Sequence, residues 1–163
     1  MTLKESRPLI RFTLGGRRFA LELPLVSEMT DLPLLHPVPG APPCVAGVAD
    51  IRGRVVTLLD LAALFRLPIE PGHPRSPSGR PRPVALVLAG PHDHLAVLAG
   101  SDTDITHCAP GEIDAPESGP EGAGELVGRE VLLEDGSPCT LIHVPSMLDA
   151  CAARVRERYR VGG

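Results

Sequence analysis

Residues 47–65 read GVADIRGRVVTLLDLAALF, and this stretch decides the fold. Two apolar runs flank the Arg52-Gly53 step. Gly53 supplies the turn, because a residue without Cβ enters positive φ cheaply. Val55, Val56, Leu58 and Leu59 predict a buried strand. Asp60 then opens a short helical segment with Leu61, Leu64 and Phe65 on one face. Arg52 is a fixed cation just before the turn, where side chains reach the surface. The pattern is that of a rigid hairpin made for recognition rather than a reaction centre.

The rest of the chain repeats this vocabulary. Its 163 residues suffice for one domain, or for two very small barrels that share a core. Apolar residues make up 43% of it and aromatics only 2%, so the core is aliphatic. Few stacking faces argue against a binder of single-stranded nucleic acid or sugar. A net charge of −4 argues against a polyphosphate partner. The 19 prolines and 17 glycines break the chain into short elements, which favours an all-β barrel or sandwich with minor helices. No signal peptide is legible at the start, and no apolar run approaches the ~18 residues of a membrane span. Cys44, Cys108, Cys139 and Cys151 show no CxxC spacing, and reduced thiols in the cytoplasm are expected.

Leu9–Leu14 and Phe19–Leu23 flank Gly15-Gly16 and predict a first β-hairpin. Pro24 predicts a short helix over Leu25–Met29. The proline-rich residues 31–44 are expected to cross the surface in extended form. Strands follow at Val45–Ile51 and Arg54–Asp60. Residues 67–83 read as a solvated proline-rich loop, locally basic through Arg75, Arg80 and Arg82. Val84–Leu88 and Leu95–Leu98 form a second strand pair, which Asp104–His107 extends. Ala109–Gly124 is a connection, and Asp135-Gly136 turns a third hairpin between Leu126–Leu133 and Cys139–Ile142. A final basic helix is expected from Ser146, with Asp149 completing a capping box. Its apolar stripe is Leu148, Cys151, Val155 and Tyr159. Gly47–Phe65 and Leu126–Leu148 echo each other as strand, turn, strand, helix.

Hidden chemistry has three candidate locations. His92 and His94 form an H-x-H pair able to face one metal from a strand, but they straddle Asp93 in a predicted turn, and no spacing nominates a third ligand. Cys44 with His36, and Cys139 with His143, pair a thiol with a base, yet neither has an identifiable orienting group. No phosphate-loop or dinucleotide fingerprint is present. A small metal- or thiol-dependent enzyme therefore stands only as an alternative.

With these elements assembled, the chain resembles the CheW-like family of chemotaxis coupling proteins. LIRFTLGGRRFALEL resembles the family's first hairpin, and PLVSEM the short segment after it. VPGAPPCVAGVADIRGRVVTLLDLAALF looks like its P-x-x-x-x-G-x-x-x-x-R-G-x-x-x-x-x-x-D-L core. REVLLEDGSPCTLIHVPSMLDA resembles the closing hairpin and helix. The resemblance implies a mainly β fold: two small five-stranded SH3-like β-barrels sharing a hydrophobic core, with short helices and a C-terminal helix. It implies one domain over 1–163, with its core at about 8–151 and a basic helix and tail over 146–163. It implies a non-catalytic cytoplasmic adaptor without cofactor, bridging a chemoreceptor cytoplasmic tip and the regulatory domain of a CheA-type histidine kinase. Nucleic acid and direct membrane insertion are not implied.

Residue by residue, Val26, Glu28, Gly47 and Arg52 match receptor-binding positions of the family, and Gly53 and Val55 match kinase-binding positions. Arg52 serves either an interface or its own barrel, through a local acid such as Asp50 or Asp60. Gly47 and Gly53 read first as structural. The chain departs from the family at Asp50-Ile51, where Asn-Leu is frequent, at Thr57, and at Ala99-Gly100-Ser101-Asp102. An aspartate at a usually apolar place predicts a shortened or shifted strand. These departures keep open a second reading, a CheW-like module of a motility or other non-chemotaxis pathway that binds one partner.

Overall fold

The computed structural model of the protein describes residues 7–68, 83–100, 102–109 and 128–161. Among the described residues, ten strands and two α-helices follow one another: β1 Pro8–Leu14, β2 Arg17–Glu22, β3 Val26–Asp31, β4 Val45–Ile51, β5 Arg54–Leu59, α1 Leu61–Leu64, β6 Val84–Leu88, β7 Leu95–Ala99, β8 Asp104–His107, β9 Gly128–Leu132, β10 Pro138–Ile142 and α2 Val144–Val161. They build two five-stranded sheets, ordered β8-β1-β2-β10-β9 and β3-β6-β7-β5-β4. The loop expected at 67–83 and the connection expected at 109–124 fall largely outside the described residues.

Both sheets close on themselves as small SH3-like barrels. In the first, Cys108 bridges Leu133 beyond the ends of β8 and β9. In the second, His36 and Val48 exchange two backbone hydrogen bonds of 2.8 Å, tying the chain after β3 to β4. Closure removes the open edges that would otherwise invite pairing with other chains.

The two barrels share one wiring. In the second, β3-β4-β5-α1-β6-β7 are consecutive, and β5 lies parallel to β7. In the first, β8-β9-β10-α2 repeat that order, but the last hairpin comes from the start of the chain, with β10 parallel to β2. The sequence echo between residues 47–65 and 126–148, within its described residues 128–148, is the matching hairpin-helix unit of each barrel.

Strand sides divide the core into three. Ile10, Phe12, Leu14, Phe19 and Leu21 of the first barrel meet Leu59, Leu86, Leu88 and Val97 of the second in one shared cluster. Alternate residues point inward instead. Ala49, Val56, Leu58, Ala85, Val87, Ala96 and Leu98 fill the second barrel, and Leu9, Ala20, Val131, Cys139 and Leu141 the first. Strands buried on both faces read as unbroken apolar runs, which explains VALVL and LAVLA. All three phenylalanines lie in the shared layer: Phe19 stacks on Phe12 at 6.3 Å and on Phe65 at 5.4 Å. The narrow barrel interiors take the smaller side chains.

The turns follow their chemistry. Gly15 and Gly16 have φ of 57° and 77°, as a two-residue hairpin requires. Asp60 is buried and caps α1 by accepting the Ala63 N–H at 3.0 Å, a type of bond whose loss costs about 1 kcal/mol.

Four expectations need correction. Leu25–Met29 is not helical: a short 3-10 turn at Leu23–Leu25 leads into β3, which pairs with β6. Pro24 starts only that turn, and ladder pairing overrides local helix preference. Asp104–His107 does not extend the β6–β7 pair; as β8 it pairs with β1 in the other barrel. Helix α2 starts at Val144, with the Met147 N–H bonded to the His143 carbonyl and His143 Nδ1 2.7 Å from Ser146 Oγ. The α2 stripe also shifts: Val144, Met147 and Cys151 are buried, whereas Tyr159 is 62% exposed.

Candidate docking surface

The β4–β5 turn places Arg52 and Gly53 at positive φ, 54° and 78°. Asp50 Oδ1 accepts the Gly53 N–H at 2.8 Å and holds the turn closed. Asp50 is thereby engaged with backbone rather than with Arg52. The Arg52 side chain reaches β3 instead, with Nε 2.6 Å from Glu28 Oε1. The Arg52 side chain remains 80% exposed and that of Glu28 24% exposed, so most of the guanidinium stays reachable from solvent.

Val26 stands two residues before Glu28, half-buried against the shared core. The strand bulges between them, and the intervening Ser27 hydroxyl donates to the Val87 and Leu88 carbonyls, each at 3.3 Å. Past the bulge Met29 points outward, 51% exposed. Sequence reasoning missed Met29 because a helix was expected there. The alternation Ser27, Met29, Asp31 against Val26, Glu28, Thr30 was the available signal.

Gly47 lies in a different setting. It is buried, at a bulge of β4 with φ 149°. A Cβ there would meet the His36 carbonyl oxygen at 2.4 Å. Gly47 thus permits the close approach that shuts the second barrel and brings β3 near the β4–β5 turn. Gly53 has open space around it and is needed only for its conformation.

Val55 stands across from Asp50 on β5, with its side chain in solvent at 72% exposure. Next to it, Arg54 pairs with Asp93 at 2.5 Å, tying this hairpin to the β6–β7 turn. Arg54 holds the Asp93 carboxyl below its ordinary range, first through the hydrogen bond and then through charge. The Thr57 N–H also donates to the His94 carbonyl at 2.9 Å. Among the sequence-predicted residues, the structure gathers Val26, Glu28 and Arg52 and sets Val55 on the β5 strand beyond the turn.

The other candidates are placed as follows. Asp93 between the two histidines is taken by Arg54. Among the described residues no cluster of three His, Cys, Asp or Glu is arranged to hold a metal. Burial pushes the Cys139 thiol up to about 11, which leaves it inert at neutral pH. Strand β7 stops at Ala99, and Asp102 lies exposed in the turn that follows, where its charge carries no burial cost. Among the described residues no helix is long and apolar enough to cross a membrane.

Paired SH3-like barrels around one core, with charged and apolar groups presented from hairpin ends, define a protein of two fused β-barrels. The CheW-like domain family model matches residues 8–152, and the chain belongs to that family. It is 34% identical over 95 residues to the protein PilI of Pseudomonas aeruginosa, a match covering 58% of this chain and 47% of that relative. The chain thus spans about half the length of this relative. It is 29% identical over 134 residues to the chemotaxis protein CheW of Rhizobium meliloti, covering 78% and 83% of the two. Its fold matches the scaffolding protein TtCheW of Thermoanaerobacter tengcongensis with a TM-score of 0.66 over 86% of each chain, at 14% identity.

Proposed function

We propose that this protein is a non-catalytic cytoplasmic adaptor that couples a chemoreceptor tip to the regulatory domain of a CheA-type histidine kinase. The observation that carries the reading is the meeting of Glu28 and Arg52. Two residues that match receptor-binding positions, distant in sequence, stand 2.6 Å apart beside Val26. Val26 supplies an apolar anchor and the ion pair a charged rim, a combination suited to the side of a receptor helix. Val55 offers a second apolar contact on β5 for barrel-to-barrel pairing with the kinase. Each contact is modest, and an array of linked copies provides the hold. The signal passes because the docked states differ in free energy between kinase-on and kinase-off arrangements.

Binding of the protein to a receptor cytoplasmic fragment and to the kinase regulatory domain, each measured separately, tests this. Both should bind. Glu28→Arg should weaken receptor binding at least about tenfold, which is about 1.4 kcal/mol, and leave kinase binding unchanged. The likeness to PilI favours a second reading, a module of another CheW-like pathway. Binding to one of the two partners alone selects it.

A further inference from the structure

We propose that Cys44 and Cys151 are a peroxide-oxidised pair, whose disulfide ties the segment before β4 to helix α2. The two thiols come from distant parts of the chain and are buried in the same shared cluster, 3% and 6% exposed. They are near enough for each thiol to perturb the ionisation of the other. Beside Cys44 is a cavity of about 190 Å³, lined by Pro42, Pro43, Cys44, Leu64, Arg66 and Arg154. Arg66 is exposed, so the cavity reaches the surface. Its volume is far above the about 10–15 Å³ that one water-sized molecule needs, which admits hydrogen peroxide. Arg154 follows Cys151 by three residues on α2 and brings a cation to the same cavity. One turn further on, Arg158 Nε donates to the Gly40 carbonyl at 3.3 Å, a second tie between α2 and this segment.

The chemistry of the pair is asymmetric. The neighbouring Cys151 thiol lowers the Cys44 thiol to about 7, against the opposing effect of burial and with help from the backbone and Arg154. The Cys44 thiol and burial push Cys151 up. Cys44 lines the cavity and Cys151 does not, so Cys44 meets peroxide first and is the nucleophile, while Cys151 resolves from behind it. Cys44 Sγ attacks one peroxide oxygen and the O–O bond breaks. Hydroxide leaves and takes up the proton that Cys44 had released, giving water and a Cys44 sulfenic acid. Cys151 Sγ then attacks Cys44 Sγ. The S–O bond breaks, and the hydroxyl departs with the Cys151 proton as a second water. Two thiols are oxidised, and one peroxide is reduced to two waters. Cys108 and Cys139 line the interior of the first barrel and serve as internal controls.

The test treats the full chain with hydrogen peroxide at pH 7, blocks free thiols by alkylation, and maps peptides by mass. The expected result is a loss of about two hydrogens per chain and a Cys44–Cys151 linked peptide, with Cys108 and Cys139 alkylated. Before oxidation, Cys44 should alkylate at least about tenfold faster than Cys139. In Cys151→Ser, Cys44 should be trapped as a sulfenic acid by dimedone, and Arg154→Gln should slow oxidation several-fold. A Cys108–Cys139 link, four free thiols after treatment, or an unresolved Cys44 sulfenic acid in the parent protein would each overturn the proposal.

Discussion

Arg52 Nε lies 2.6 Å from Glu28 Oε1, and this contact joins the β4–β5 turn to β3. The order of the second sheet puts β3 and β4 at its two ends, so the ion pair spans the seam where the barrel closes. The backbone bonds between His36 and Val48 close the same seam. One pair of side chains therefore marks the meeting of barrel closure and the proposed docking surface.

A double-mutant cycle separates these roles. Glu28→Gln and Arg52→Gln should each lower stability by less than about 1 kcal/mol, with a coupling of about 0.5 kcal/mol, because Arg52 is largely exposed. Chemical denaturation measures it. Arg52→Gly removes the left-handed strain of about 1 kcal/mol while adding unfolded-state entropy of about 0.4–1 kcal/mol. Its stability should stay within about 1 kcal/mol of the parent, while receptor binding falls.

Gly47 and Gly53 should respond differently to the same methyl group. Gly47→Ala drives a Cβ against the His36 carbonyl and should cost about 3 kcal/mol or more. Gly53→Ala meets nothing and should cost about 1 kcal/mol, for its backbone conformation alone. Equal losses in urea melts would show that Gly47 is not held against the bridge.

Val55 can be changed without touching the core. Val55→Lys faces Asp50 across the hairpin, so the new charge is met by an opposite one. Stability should move by less than about 0.5 kcal/mol. Binding to the kinase regulatory domain should fall at least about tenfold, read by titration calorimetry.

Acid should loosen the tie between the two hairpins of the second barrel. Arg54 depresses the Asp93 carboxyl in the folded state. Its stabilising effect is therefore fully present above the unfolded carboxylate value of about 3.9, and is lost as pH falls through the lower folded value. An NMR titration should place the Asp93 midpoint below that of an ordinary aspartate. In Arg54→Gln it should return toward the ordinary value.

Local chemistry in the chain determined the hairpins, and it did so for physical reasons that operate within a few residues. Gly15-Gly16, Arg52-Gly53 and Asp135-Gly136 supply the backbone freedom of tight turns, and Asp60 announces α1 by its capping oxygen. The apolar runs around them mark strands buried on both faces. Pairing between distant strands has no such local mark. Only the folded chain decides that β1 and β2 complete a barrel with β8, β9 and β10, that the residues after Pro24 become a strand, and that Glu28 meets Arg52. A turn is set by the torsions of the residues that form it. A sheet edge accepts whichever strand buries the most apolar surface and satisfies its open hydrogen bonds, and that choice exists only once the whole chain has packed.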